Sequence, residues 1–322
     1  MKANEINGRM PFLKHCMDHA IKDAVRKVVT RCDALGTTPQ EPDYIAGLSL
    51  YFTRKLYRIL TRFFVRHQFS VTGIFCHQKP IVDIGIGVNP ELGDILFVYI
   101  YTDSTGTKKY NSLLLQAKVS TAMVLRVPPR DMHQLTLYRD WPEFIYRRAG
   151  VLNGITRNIQ PKVASDGAQY LLIDNDPVTG LAGTAGTFPM GCAIAEESLS
   201  VNANLANEIV DFIKFKAGRA FEGDPLATGD DWTKMIWDLV TIARGRMSRR
   251  RNAGFPRFPR QTVYATTADD GAMLSFGSEY SSFDDIRDSG GGSGELHKHD
   301  NLNDEGPGIS VVLIEASEPK IG

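Results

Sequence analysis

Two strand-like segments, 95–101 and 112–119, joined by a short polar turn, restrict the fold more tightly than any other part of the chain. Ile95, Phe97, Val98, Tyr99 and Ile100 are β-branched or aromatic and favour a pleated strand. Asp103-Ser104-Thr105-Gly106 supplies the turn. The second segment carries the apolar run Leu113-Leu114-Leu115 and is then interrupted by Gln116 and Lys118. Residues two apart on a strand project from the same face. A lone lysine on a central strand is expensive to bury without an anionic partner. Asp94, opening the adjacent antiparallel strand, is placed to supply one.

The rest of the chain frames this hairpin. Ile21, Ala24, Val25, Val28 and Val29 recur at helical spacing and predict a helix over 11–33, ended by Gly36. Thr38-Pro39-Gln40-Glu41 has the form of a capping box with proline at the first helical position. The helix it opens runs through Tyr44, Leu48, Phe52, Leu56 and Leu60, with Arg54, Lys55, Arg58, Arg62 and Arg66 on its other face. A strand is expected over 69–75, a helix near 130–140 and a strand over 170–173. Segments 205–221 and 231–245 read as helices, the second with an apolar stripe of Trp232, Met235, Ile236, Leu239 and Val240 expected in the core. The run 309–314 is expected to return as an edge strand. No internal repeat is present.

Hydrophobic residues make up 43 % and charged residues 23 % of the 322 residues, as in a water-soluble folded chain. Lysine plus arginine equals aspartate plus glutamate at 37 each, so any nucleic-acid contact must come from local patches rather than net charge. The four cysteines, Cys16, Cys32, Cys76 and Cys192, form no C-x-x-C pair and are read as reduced structural thiols. The first residues lack a signal-type apolar run. No stretch approaches the roughly 20 apolar residues of a membrane span. A cytoplasmic protein without membrane association is expected.

Hydrolysis of a phosphodiester needs a divalent cation held by hard oxygen ligands and a positive group for the charge that develops at phosphorus. Asp94 offers an anionic oxygen. The Gln116 side chain and the Ala117 backbone offer neutral carbonyl oxygens. Lys118 is a point charge on a long stem. In this pattern the chain resembles the PD-(D/E)XK nuclease superfamily, in which an acidic residue is followed, on the next strand, by (D/E)-x-K. Here the motif reads Asp94, then Gln116-x-Lys118, a glutamine variant similar to that of Mrr-like and bacterial defence-effector nucleases. The resemblance covers residues 38–175. Two departures stand out: Gly93 occupies the position of the family's proline, and the neutral Gln116 leaves the site one negative charge short.

The resemblance implies an α/β fold, a restriction-endonuclease-like mixed β-sheet flanked by helices, with a helical C-terminal extension. It implies a nuclease core over 1–200, a helical extension with a basic arm over 201–265, and a flexible acidic and glycine-rich tail over 266–322. It also implies Mg²⁺ or Mn²⁺ as cofactor, double-stranded DNA as substrate and partner, a homodimer or a regulatory partner protein, and a role in anti-phage defence. Asp94, Gln116 and Ala117 would bind metal, and Lys118 would act in catalysis. Many members carry a further acid on the helix before the first strand, for which Glu41 is the first candidate and Asp43 the second. An RNA nuclease and a catalytically inactive binding module are the alternatives. A purely structural reading has Asp94 and Lys118 as an ion pair of an edge hairpin.

Other features divide between function and packing. Arg246, Arg249, Arg250, Arg251 and Arg257 form a basic arm interleaved with Phe255 and Phe258, suited to phosphate pairing and base stacking. The same arm reads equally as a solvated segment. The acidic stretch after Asp269 could shield it. Trp141-Pro142 within 140–144 is expected to pack a loop. His15 and His19, one turn apart without a neighbouring glutamate, are read as a solvated face. The glycine-rich stretch 180–186 lacks the G-K-[ST] ending of a phosphate loop.

Overall fold

The computed structural model describes residues 8–76, 80–120, 122–174, 181–183, 186–246, 264–268 and 308–319, except the side chains of 181–183, 186–187, 244–246 and 264–268. Helix α1 (Met10–Ala34) is followed by α2 (Glu41–Gly47), a π-helical turn (Leu48–Phe52) and α3 (Thr53–Phe63). Strands β1 (Gln68–Phe75), β2 (Ile81–Asp83), β3 (Ile95–Thr102), β4 (Lys108–Val119) and β5 (Val124–Arg126) come next. A 3₁₀ turn (Pro129–Asp131) leads into α4 (Met132–Asp140), then β6 (Phe144–Arg148), β7 (Thr156–Arg157) and β8 (Ala168–Ile173). The chain continues through β9 (Leu181–Gly183), β10 (Gly186–Phe188), β11 (Met190–Ala193), β12 (Ser198–Asn204), α5 (Leu205–Ile213), β13 (Arg219–Phe221) and α6 (Asp231–Arg246). It ends with β14 (Tyr264–Ala268) and β15 (Ser310–Ser317).

The fold is mixed α/β. Its central sheet runs β14-β1-β15-β3-β4-β8-β11-β12-β5, with β13 also on β4. The β15–β3 and β4–β8 pairs are parallel and the other pairs of this sheet antiparallel. Alternation along the strands sends side chains into two cores. Ile95, Phe97, Leu113, Leu115 and Ala117 pack with α1, α2, α3 and α5 on one face. Leu96, Val98, Leu114, Tyr170 and Leu172 pack with α4 and α6 on the other. Both faces of the middle strands are therefore covered, which is why they read as near-continuous apolar runs. Among the described residues no helix is long and apolar enough to cross a membrane.

The expected β3–β4 hairpin forms, with Ile95 opposite Leu115 and Thr102 opposite Lys108. Its turn is held by the Asp103 carboxylate, which accepts from the N–H groups of Thr105 and Thr107 at 2.9 and 3.0 Å. The apolar stripe of α6 is in the core, Trp232, Met235, Ile236 and Leu239 being fully buried. Trp141 and Phe144 are likewise fully buried, as a packed loop requires.

Four expectations differ from what is observed. The helix expected from Glu41 through Leu60 is broken by the π turn. Ser49 Oγ donates back to Ile45 O at 2.9 Å and Thr53 Oγ1 to Ser49 O at 2.7 Å, the local competition that distorts a helix. The backbone of β1 presses against that turn at Gly73, where a Cβ would stand 1.7 Å from Ser49 O, so only glycine fits. The capping box also sits later than expected: Asp43 Oδ2 accepts from the N–H of Gln40 at 2.9 Å. The helix expected over 205–221 ends at Ile213, and 219–221 become a strand on β4. Finally, β15 is no edge strand. It lies between β1 and β3, antiparallel to the first and parallel to the second. Val312 and Ile314 enter one core and Val311 and Leu313 the other, so burial on both faces favours an interior place.

Candidate active site

The β3–β4 pairing sets Asp94 beside Gln116. The N–H of Asp94 donates to Leu115 O at 2.9 Å, extending the ladder by one residue. Asp94 Oδ2 then accepts from Gln116 Nε2 at 2.5 Å and from the N–H of Ala117 at 2.7 Å. Asp94 is 2 % exposed and Gln116 1 %. Gln116 Oε1 is buried and has no hydrogen-bond partner among the described residues. A buried carbonyl oxygen left without a donor is costly, and such an atom marks a place for a ligand or water.

Gly93 permits this approach. A Cβ there would stand 2.7 Å from Leu114 Cδ1 and 2.9 Å from the Tyr138 hydroxyl. That hydroxyl donates to Leu92 O at 2.9 Å, and its ring stacks on Trp141 at 5.9 Å. The expected packing role of Trp141 thus reaches the segment that carries Asp94. Burial, and after it the charge of Asp94, pushes the Tyr138 phenol well above its usual range.

Lys118 shares a face of β4 with Gln116, but it pairs with an acid other than the one anticipated. Its ammonium lies 2.9 Å from Asp131 Oδ2. Asp131 is the N-cap residue of α4, yet its side chain caps nothing; it turns to Lys118 instead. Nothing in the local sequence signals this pairing, because an acid before a helix reads as an ordinary cap.

Glu41 is brought to the same strand end. Its Oε1 accepts from the N–H of Val119 at 3.2 Å, one residue beyond Lys118. Asp43, the second candidate, is taken up by its cap. A further acid, overlooked in the sequence, is Asp174. It follows β8 directly and is 1 % exposed. The N–H of Ser120 donates to Ile173 O at 2.8 Å, which brings Asp174 level with the end of β4. Burial, with Asp174 among the charges that follow, pushes the Tyr44 phenol up to about 12, so this carboxylate stands near α2 as well. Its one sequence signal is its place immediately after the strand expected over 170–173.

The β3 start and the β4 and β8 ends therefore gather Asp94, Gln116, Lys118, Glu41 and Asp174 at one end of the sheet. The ends of parallel strands are where α/β sheets bind ligands. Among the described residues no three His, Cys, Asp or Glu side chains converge as a cation cage. The donors fit Mg²⁺ or Mn²⁺ in another way. Mg²⁺ is commonly held by one or two carboxylates with waters and substrate phosphate oxygens, and the unpartnered Gln116 oxygen adds a hard neutral ligand. The backbone of Arg246 ends α6, and Arg249, Arg250, Arg251 and Arg257 lie outside the described residues, as do the acidic stretch 269–305 and residues 180, 184 and 185. Comparison of the chain with protein-family models, with curated proteins and with solved structures gives no match.

Proposed function

We propose that this chain is a restriction-endonuclease-like nuclease that hydrolyses DNA phosphodiester bonds with Mg²⁺ or Mn²⁺. The observation that carries this reading is the Asp94 carboxylate beside the unpartnered Gln116 oxygen, with Lys118 on the same strand face. Asp94, Gln116 Oε1 and the Ala117 carbonyl would hold the cation, with Glu41 or Asp174 supplying the missing negative charge. The cation neutralises phosphate charge and lowers the pKa of water.

Lys118 positions the attacking water or stabilises charge developing on the phosphate. Asp131 holds the ammonium in place through their 2.9 Å contact and limits its wandering. Arg246, Arg249, Arg250, Arg251 and Arg257 would clamp the flanking backbone. The resemblance to defence effectors suggests a role in anti-phage defence, acting in the cytoplasm, with a homodimer or regulatory partner to license double-strand cuts.

A second reading is a catalytically inactive nucleic-acid- or partner-binding module. The Lys118–Asp131 pair favours it, because it neutralises the ammonium that catalysis would use. Incubating plasmid with Mg²⁺ and wild type, Asp94→Asn or Lys118→Ala separates the two. Nicking by wild type alone supports the nuclease. Equal nicking by all three sinks it, and salt-sensitive binding without nicking by wild type supports the second reading. Parallel RNA substrates decide between DNA and RNA.

A further inference from the structure

The chain carries no acidic residue between Asp43 and Asp83, yet that stretch holds Arg54, Lys55, Arg58, Arg62 and Arg66. In a chain of zero net charge this is a local imbalance, and α3 turns it into a surface. At about 100° per residue, Arg54, Arg58 and Arg62 fall within roughly 80° of arc. Leu56, Leu60 and Phe63 fall on the opposite side and are buried. Arg58 and Arg62 are exposed, and Arg54 is half-buried.

Helix stability does not account for this stripe. Like charges one turn apart oppose helix formation. Arg62 lies in the last turn, where the helix dipole favours a cation, but Arg58 does not. Neighbouring cations are neutralised within the protein. Lys55 meets Asp23, Arg26 of α1 meets Asp23 at 3.0 Å, and Lys22 meets Asp18 at 2.7 Å. Among the described residues, Arg58 and Arg62 meet no carboxylate.

Their separation fits one kind of partner. Four residues of helix rise about 6 Å, close to the spacing of neighbouring phosphates along one strand of a duplex. A planar guanidinium pairs two phosphate oxygens at once. Phe63 and Phe64, the aromatic residues that follow Arg62, are buried. The stripe thus offers charge without a stacking platform, which suits paired bases better than an unpaired strand.

The stripe is also remote from Asp94. The helical run from Glu41 to Phe63 starts at the strand end, where Glu41 accepts from the N–H of Val119. At about 1.5 Å per residue, Arg58 lies roughly 25 Å along it.

We propose that the Arg58–Arg62 face of α3 binds the phosphate backbone of duplex DNA, as a contact separate from the Asp94 site. Each guanidinium takes one phosphate. The contact is blind to base sequence, since phosphates carry none. It holds a duplex whether or not the strand end cuts it, so it goes beyond the nuclease reading and is tested apart from it.

A short fluorescein-labelled DNA duplex is titrated with the full chain in EDTA, which stops metal-dependent cleavage, over a series of KCl concentrations. The wild type should bind, with affinity falling steeply as salt rises. Arg58→Gln/Arg62→Gln should lower the slope of log K against log salt by roughly 2, at about 0.9 per phosphate contact, and weaken binding roughly tenfold at low salt. Its melting temperature should not fall, because the change relieves a like-charge pair. Arg58→Lys/Arg62→Lys should keep the slope. Arg26→Gln/Lys27→Gln removes the same two charges from exposed positions on α1 and should also keep it. Asp94→Asn should bind as the wild type does.

No binding by the wild type, an unchanged slope in Arg58→Gln/Arg62→Gln, an equal loss in the α1 variant, or abolition by Asp94→Asn overturns the proposal. Phosphatidylserine vesicles are the second probe. Vesicle binding lost in Arg58→Gln/Arg62→Gln, with no binding of DNA, assigns the face to a membrane surface and overturns it too.

Discussion

Lys118 Nζ and Asp131 Oδ2 lie 2.9 Å apart, bridging β4 and the 3₁₀ turn that opens α4. The two side chains are 15 % and 20 % exposed, so the pair is shielded from most solvent screening. Removing one partner leaves the other charge poorly solvated.

Lys118→Ala and Asp131→Ala should therefore be coupled in stability. A double-mutant cycle by urea denaturation is expected to give an interaction of about 1 kcal/mol or more. Additive effects would show that the contact holds nothing in solution.

Gln116→Glu supplies the acid of the (D/E)-x-K pattern that this segment resembles. It also sets a second carboxylate where Gln116 Nε2 now donates to Asp94 at 2.5 Å. Like charges so close and so buried oppose folding. The melting temperature in EDTA is expected to fall by roughly 5 °C, and millimolar Mn²⁺ should restore most of the loss. An unchanged melting temperature, or a loss indifferent to metal, would argue against a cation between these two side chains.

Glu208 provides a pH test away from the site. Burial raises its carboxyl above the ordinary value, opposed by the hydrogen bond from Gln169 Nε2 at 2.8 Å. The native state thus keeps a proton that the unfolded chain releases at lower pH. The contribution of Glu208 falls as pH rises from about 4.3 through the raised native value. Glu208→Gln, which removes the charge, should gain stability relative to wild type between about pH 4 and pH 7. Urea denaturation at both pH values checks this, and a constant difference would refute it.

Much of the central hairpin was legible because each signal was local. Strand propensity, the Asp103 turn and the two-residue spacing of Gln116 and Lys118 all lie within 95–119. The partner of Lys118 was not legible, because Asp131 reaches it through a turn whose acid looks like an ordinary cap. Asp174 was hidden because its proximity depends on the parallel register of β8 against β4. The strand 219–221 was masked by apolar spacing that continues from α5, and positive φ at Phe215 and Gly218 ends that helix instead. Burial of β15 on both faces could have been read from Val311-Val312-Leu313-Ile314, where no polar residue marks a solvent side. Its neighbours could not, since strand order is a tertiary property.

The insertion of β15 has a consequence for synthesis. Ser310 pairs with Ile95, the residue after Asp94, and the N–H of Cys76 donates to Ser310 Oγ across 234 residues. While the ribosome is still translating the preceding segments, β1 and β3 each lack the neighbour that lies between them. The strand bearing Asp94 is completed only after residues 310–317 leave the exit tunnel. Whatever chemistry this end of the sheet performs therefore waits on residues 310–317.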